Sequence, residues 1–220
     1  MKLKRIFAAV LAAAMLLSFA GCANKDTQGD SSEPAGEQTT EERTTEPQTN
    51  EDGSLVKPKN AVSVSDDVKI KTYSGTSLIE IGNRVMEPYG NAYKNMKAYA
   101  DALNRLKAEM PNTKAYCLMA PTAIEFYAPS KYNTGVSKSQ YEGMCYIYEQ
   151  LKDITPVNAY AEMAAHTDEY LYFRSDHHWT TLGAYYAYRT FAKVAGFTPV
   201  DKNTLQTGKL SPFLGLFYKD

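Results

Sequence analysis

The 220-residue chain holds three cysteines, three histidines and one tryptophan, and these scarcities exclude several classes. Cys117, Cys145 and the scattered histidines do not make the four-ligand sets that hold structural zinc, and no metal or other cofactor is expected. Positive charge is not in excess either: 24 Lys and Arg face 25 Asp and Glu, a net charge of −1. Without a basic footprint, nucleic acid is not an expected partner. No apolar run reaches the ~20 residues of a membrane-spanning helix. The longest, Ile6 to Ala20, follows Lys2, Lys4 and Arg5 and ends before Gly21 and Cys22, the layout of a secretory signal.

Phe19-Ala20-Gly21-Cys22 resembles a bacterial lipobox, with Cys22 as the lipidated residue. From 23 to 60 the chain is Glu, Thr, Gln, Ser, Asp and Pro with almost nothing to bury. Such a segment cannot offset its ordering entropy and is expected to be a solvated tether. The layout is therefore a signal at 1–22, a tether at 23–60 and one folded domain at 61–220, held by a lipid on the extracellular face of the bacterial membrane. Export permits a disulfide between Cys117 and Cys145, but their apolar settings favour two buried free thiols.

In the folded part, short alternating stretches at 62–73 and the run SLIEIGN predict two opening strands. NAYKNMKAYADALNRLKAEM places Tyr93, Met96, Ala100, Leu103, Leu106 and Met110 at helical spacing and stops at Pro111. KAYCLMAPT reads as a central parallel strand covered on both faces. PTAIEFYAPSKYNTG follows as a loop, SQYEGMCYIYEQLKDI as a helix, TPVNAY as a short strand or turn and AYAEMAAH as a short helix. EYLYFRS reads as a further strand. TTLGAYYAYRTFAKVAG closes the series as a helix with Thr180 at its N-cap and Gly196 at its end. Alternating strands and helices predict an α/β fold with a mainly parallel sheet. The 17 tyrosines read first as amphipathic packing with hydroxyls at the surface, and second as a platform for sugars.

The chemistry concentrates in SDHHWTTLGAYYAY. In extended backbone, residues two apart share a side, so Asp176 and His178 are expected to face one way and His177 the other. An aspartate beside a histidine fixes its tautomer and stabilises its protonated form, as a general base requires. Trp179 is placed to wall such a site. Simpler roles compete: His177 as a packing residue, Asp176 as a helix N-cap, and the adjacent histidines as metal ligands, whose side chains diverge.

DHHWTTLGAYYAY, together with PTAIEFY and the tail FLGLFYKD, resembles the DHHW family of exported Gram-positive proteins. That family is similar to the SGNH-hydrolase-like domains of the alginate O-acetyltransferases. The resemblance implies an SGNH-like sheet flanked by helices, with Asp176 as orienter and His178 as base of a Ser-His-Asp triad. It places the nucleophilic serine downstream, in an Asp-Ser or Gly-Asp-Ser turn. Ser211, Ser175 and the serines of SGTS do not fit, so the domain is expected to be the first part of a longer one, incomplete at its C-terminus and inactive alone. The implied activity is O-acyl transfer to, or ester hydrolysis on, a cell-envelope or exopolysaccharide glycan, with Thr122, Glu125 and Tyr127 as substrate-side candidates. The rival expectation is a non-catalytic surface lipoprotein that binds a glycan or a partner.

Overall fold

The computed structural model describes residues 48–49, 55–132, 138–209 and 211–218. The expected signal with Cys22, and most of 23–60, lie outside the described residues. Strand β1 (Gln48–Thr49) pairs antiparallel with β2 (Leu55–Val56). Lys57 then reaches Glu125, with Nζ 2.7 Å from Oε1, and the Asn60 side-chain amide donates to the Phe126 carbonyl at 3.1 Å. Residues of the 23–60 stretch thus touch the domain directly.

The next sheet is antiparallel: β3 (Ile70–Thr72), β4 (Ile79–Ile81) and β5 (Arg84–Met86) lie in that order. Its tight β4–β5 turn uses Gly82 at φ 59°, a conformation glycine adopts without strain. Alternation puts Ile79 and Ile81 in the core, where Met86 joins them from the strand opposite.

Helix α1 (Tyr93–Glu109) forms where the apolar spacing predicts it. Only Met96 and Ala100 of its stripe are buried, packed with Ile147, whereas Leu106 and Met110 are exposed. Strand β6 (Ala115–Leu118) follows, then helix α2 (Ala123–Tyr127), helix α3 (Gln140–Glu149) and strand β7 (Ile154–Val157). Ser139 caps α3, accepting from the Glu142 amide, a sequence signature of S-x-x-E. Helix α4 (Tyr160–Ala164) precedes the DHHW segment, and helix α5 (Thr181–Ala195) follows it. Thr180 accepts from the Gly183 amide as N-cap of α5, and Gly196 ends the helix at φ 85°.

Three expectations are corrected. Among the described residues, the only parallel pairing is β6 with β7, Ala115 opposite Ile154 and Leu118 opposite Val157. The fold is mixed α/β, and among the described residues the sheets are not mainly parallel, because β3–β5 are joined by turns too short for a parallel crossover. Residues 123–127 form a helix rather than a loop: Pro121 precedes the Thr122 N-cap position instead of interrupting a turn. EYLYFRS is no strand, since its backbone bends back and Tyr172 meets only Trp179 in an isolated antiparallel bridge.

The core is rich in tyrosine. Tyr141, Tyr160, Tyr172 and Tyr186 are almost fully buried beside Phe126, Ile124, Met163 and Leu171. Hydroxyls of buried tyrosines are used internally: Tyr172 donates to the Pro121 carbonyl at 2.5 Å, Tyr148 to the Val157 carbonyl at 3.0 Å and Tyr160 to Glu125 at 3.0 Å. Packing thus accounts for these tyrosines. Cys117 and Cys145 are free and buried, and burial pushes the Cys145 thiol up to about 11. No helix of the described residues is long and apolar enough to cross a membrane.

Candidate active site

The residues from Leu171 to Thr180 form a loop closed at its base. The Thr180 amide donates to the Leu171 carbonyl at 2.8 Å, and the Phe173 amide to the His178 carbonyl at 3.3 Å. Gly183 explains how helix α5 fits against this base: a Cβ there would meet the Leu171 carbonyl oxygen at 2.5 Å and the Trp179 Cβ at 3.0 Å. Arg84 props the loop from the sheet side, its Nη1 donating to the Tyr172 carbonyl at 3.0 Å while its guanidinium lies 4.0 Å from the Tyr127 ring centre. Next to it, the Val85 amide donates to the Arg174 carbonyl at 2.8 Å.

Asp176 sits at the tip and is buried; the His178 side chain is 60% exposed. Asp176 Oδ1 lies 2.6 Å from His178 Nδ1 and also accepts the His178 amide at 2.9 Å. An aspartate accepting the amide two residues on is an Asx turn. That turn, not an extended strand, brings the pair together, so the expected pairing arises from a different backbone. Asp176 Oδ2 accepts the Leu216 amide at 3.0 Å. Burial alone pushes the Asp176 carboxyl up, but the Leu216 and His178 amides and the His178 side chain outweigh it and hold the group below its ordinary range. An ionised Asp176 facing Nδ1 favours the tautomer with hydrogen on Nδ1, which leaves Nε2 as the basic nitrogen.

His177 does not turn to the opposite side as expected, because the backbone bends through 174–178. Its ring centre is 4.1 Å from that of His178 and 5.7 Å from that of Phe217, and its buried Nδ1 has no hydrogen-bond partner. Asp176 and His177 line a small recess with Val85, Thr122 and Ile124. Of the substrate-side candidates, Thr122 therefore lies at the site, its hydroxyl accepting from the Gln140 side chain at 2.8 Å. Glu125 and Tyr127 are placed differently. Glu125 is buried, where Lys57, the Tyr160 hydroxyl and the Gln140 amide surround its carboxylate. Tyr127 is buried and donates to the Thr167 carbonyl at 3.0 Å. Trp179 is half-buried against the core beneath the loop. Asp176 is not the helix cap, a place taken by Thr180.

Sequence reasoning missed Lys57, Arg84 and the Gly215–Leu216 turn. Only the last left a trace, as a glycine inside an apolar stretch often marks close backbone approach. One ligand atom each from Asp176, His177 and His178 lies within 4.8 Å of the others, so these residues could gather around a cation. At ligand distances of about 2.0–2.2 Å, a cation would have to replace the Asp176–His178 hydrogen bond. Among the described residues, no serine hydroxyl bonds to His178.

An α/β domain that presents a buried aspartate bonded to an exposed histidine just ahead of a capped helix defines the class. The DHHW protein family model matches residues 45–220, and the chain belongs to the DHHW family. A DHHW family protein from Eubacterium siraeum is similar at 29% identity, with a TM-score of 0.61 over 64% of this chain and 48% of that one. This chain thus spans about half the length of that relative. Bacillus cereus PatB1, solved with a sulfonyl adduct, is similar at 19% identity and a TM-score of 0.46, over 59% of this chain and 45% of that one. No curated protein matches.

Proposed function

We propose that this DHHW protein belongs to an O-acyl transfer or ester-cleaving system acting on a cell-envelope or exopolysaccharide glycan. The single observation that carries the reading is the 2.6 Å contact of Asp176 with His178 Nδ1 on an otherwise exposed imidazole. In this reading Asp176 orients the ring and His178 Nε2 takes the hydroxyl proton of a serine as that oxygen attacks an acyl carbonyl. The proton then passes to the leaving alcohol, and the acyl group goes to a sugar hydroxyl or to water. The serine is the one that the family resemblance places downstream of the pair, in an SGNH-like arrangement. Thr122, beside Asp176 and His177, lies on the substrate side, and Trp179 backs the loop. Lipidation at Cys22 and a spacer in the first part of 23–60 would hold the domain at the extracellular face of the cell membrane.

The test is turnover of a small acetyl ester and of an acetylated glycan by the full-length gene product. Loss with His178→Ala and retention with His177→Ala is expected; equal losses sink the role assignment. One observation favours a second reading, a non-catalytic glycan- or partner-binding lipoprotein: no described serine bonds to His178. Exposed Tyr93, Tyr99 and Tyr170 would then supply stacking faces. Glycan retention without ester cleavage in the full-length protein would favour that reading.

A further inference from the structure

The Asp176 carboxylate has two oxygens, and only one faces the histidine. A carboxylate tethered through Oδ1 alone could swing about its last side-chain bond and present His178 with a different angle. The bond that prevents this comes from 40 positions away, where the Leu216 amide donates to Oδ2 at 3.0 Å. The turn carrying that amide is fastened on both sides. Before it, Phe213 stacks on Phe173 with ring centres 4.1 Å apart; after it, the Phe217 amide donates to the Ser175 carbonyl at 2.9 Å. Tyr218 closes the turn by donating to the Gly215 carbonyl at 2.9 Å.

Two features show that the main chain is what matters here. Leu216 as a whole is 68% exposed, so little packing keeps this residue in place. Gly215 meets the loop so closely that a Cβ would overlap the Ser175 carbonyl oxygen and come within 2.9 Å of the Asp176 Cβ. Any side chain at 215 therefore pushes the turn off the loop and withdraws the Leu216 amide with it.

Resting on the orienter and base roles given above, we propose that Gly215 and Leu216 are positioning residues for the Asp176–His178 pair. Gly215 lets the chain approach, and the Leu216 N–H locks the carboxylate so that Oδ1 stays on the His178 Nδ1–H. Neither touches the reacting atoms; both act through Asp176.

The experiment is ¹⁵N-histidine NMR on the 220-residue chain, comparing the parent with Leu216→Pro, Leu216→Ala and Gly215→Ala. Leu216→Pro deletes the amide hydrogen, Leu216→Ala keeps it, and Gly215→Ala displaces it. The parent and Leu216→Ala are expected to hold neutral His178 in the Nδ1–H form. Leu216→Pro and Gly215→Ala should shift it toward the Nε2–H form and raise the Asp176 titration by about one pH unit, the size expected for one lost bond to a charged group. A melting curve for each variant confirms folding, and Gly215→Ala carries the test if the proline variant does not fold. Variants indistinguishable from the parent would overturn the proposal, as would a shift in Leu216→Ala as large as that in Leu216→Pro. A paired parent without acyl turnover at full length removes the function and leaves the positioning role. A parent without the Nδ1–H form removes both.

Discussion

Two histidines in this molecule stand against carboxylates, and they are built in opposite ways. His166 lies between Glu169, 3.1 Å from its Nδ1, and Glu162, 3.5 Å from its Nε2. Its ring is stacked on Tyr186 at 3.9 Å, and Tyr186 and Lys202 both bond to Glu169 while Arg189 pairs with Glu162. A carboxylate stands near each of its nitrogens, and the ring serves to join helices α4 and α5. His178 has one carboxylate, one committed nitrogen and an open face. A histidine clasped on both sides is a fastener; one held at a single nitrogen keeps a site for chemistry. Proximity of histidine to carboxylate, taken alone, does not distinguish the two.

Mutation can sharpen or break this contrast. His178→Ala should lower acyl turnover of the full-length protein by about 10²–10⁴-fold, the span of a lost general base, while costing about 1 kcal/mol or less of stability, since the amides of residues 178 and 216 still hold Asp176. Steady-state kinetics beside a urea melt checks both halves. His166→Ala should do the reverse, costing about 1–3 kcal/mol through the lost stacking on Tyr186 and the lost contact with Glu169 while leaving turnover within a few-fold. If the two variants behaved alike, the contrast would collapse.

A smaller effect concerns acid. Asp176 titrates below its ordinary range when folded, so its stabilising contribution is complete above the unfolded value of ~3.9 and is lost as pH falls through the lowered folded value. Asp176→Asn should therefore be less stable than the parent at neutral pH, with the gap closing as pH falls below the unfolded value and through the lowered folded one. Urea unfolding across that range reads the difference, and a gap that widened in acid would contradict the bonding of Asp176. Smallest of all, His177→Ala should keep turnover within about threefold, since its ring lies tilted against its neighbour without bonding to Asp176.

Much of this was legible beforehand, for local reasons. The apolar spacing of 93–109, the Thr180 cap and the Gly196 stop are short-range features that a sequence states directly. The link between Asp176 and His178 is also legible, although an Asx turn makes it in place of the extended backbone that the spacing suggests. Tyr172 misled for a related cause, since β-prone residues in EYLYFRS line a bent loop whose partner is Trp179, seven positions away. Long-range partners left no trace of that kind. Nothing in PTAIEFY announces that Glu125 is buried or that Lys57 will reach it, and nothing near Asp176 announces the Leu216 amide.

Thr180 deserves a last consequence. Its amide and hydroxyl fasten the loop's exit to the carbonyls of Leu171 and Tyr170 at 2.8 and 2.7 Å, while the same hydroxyl oxygen receives the Gly183 amide at the start of α5. Entry, exit and helix are knotted at one residue. The helix behind the loop consequently takes its register from Thr180, whatever side chains the stretch between Tyr172 and Trp179 presents.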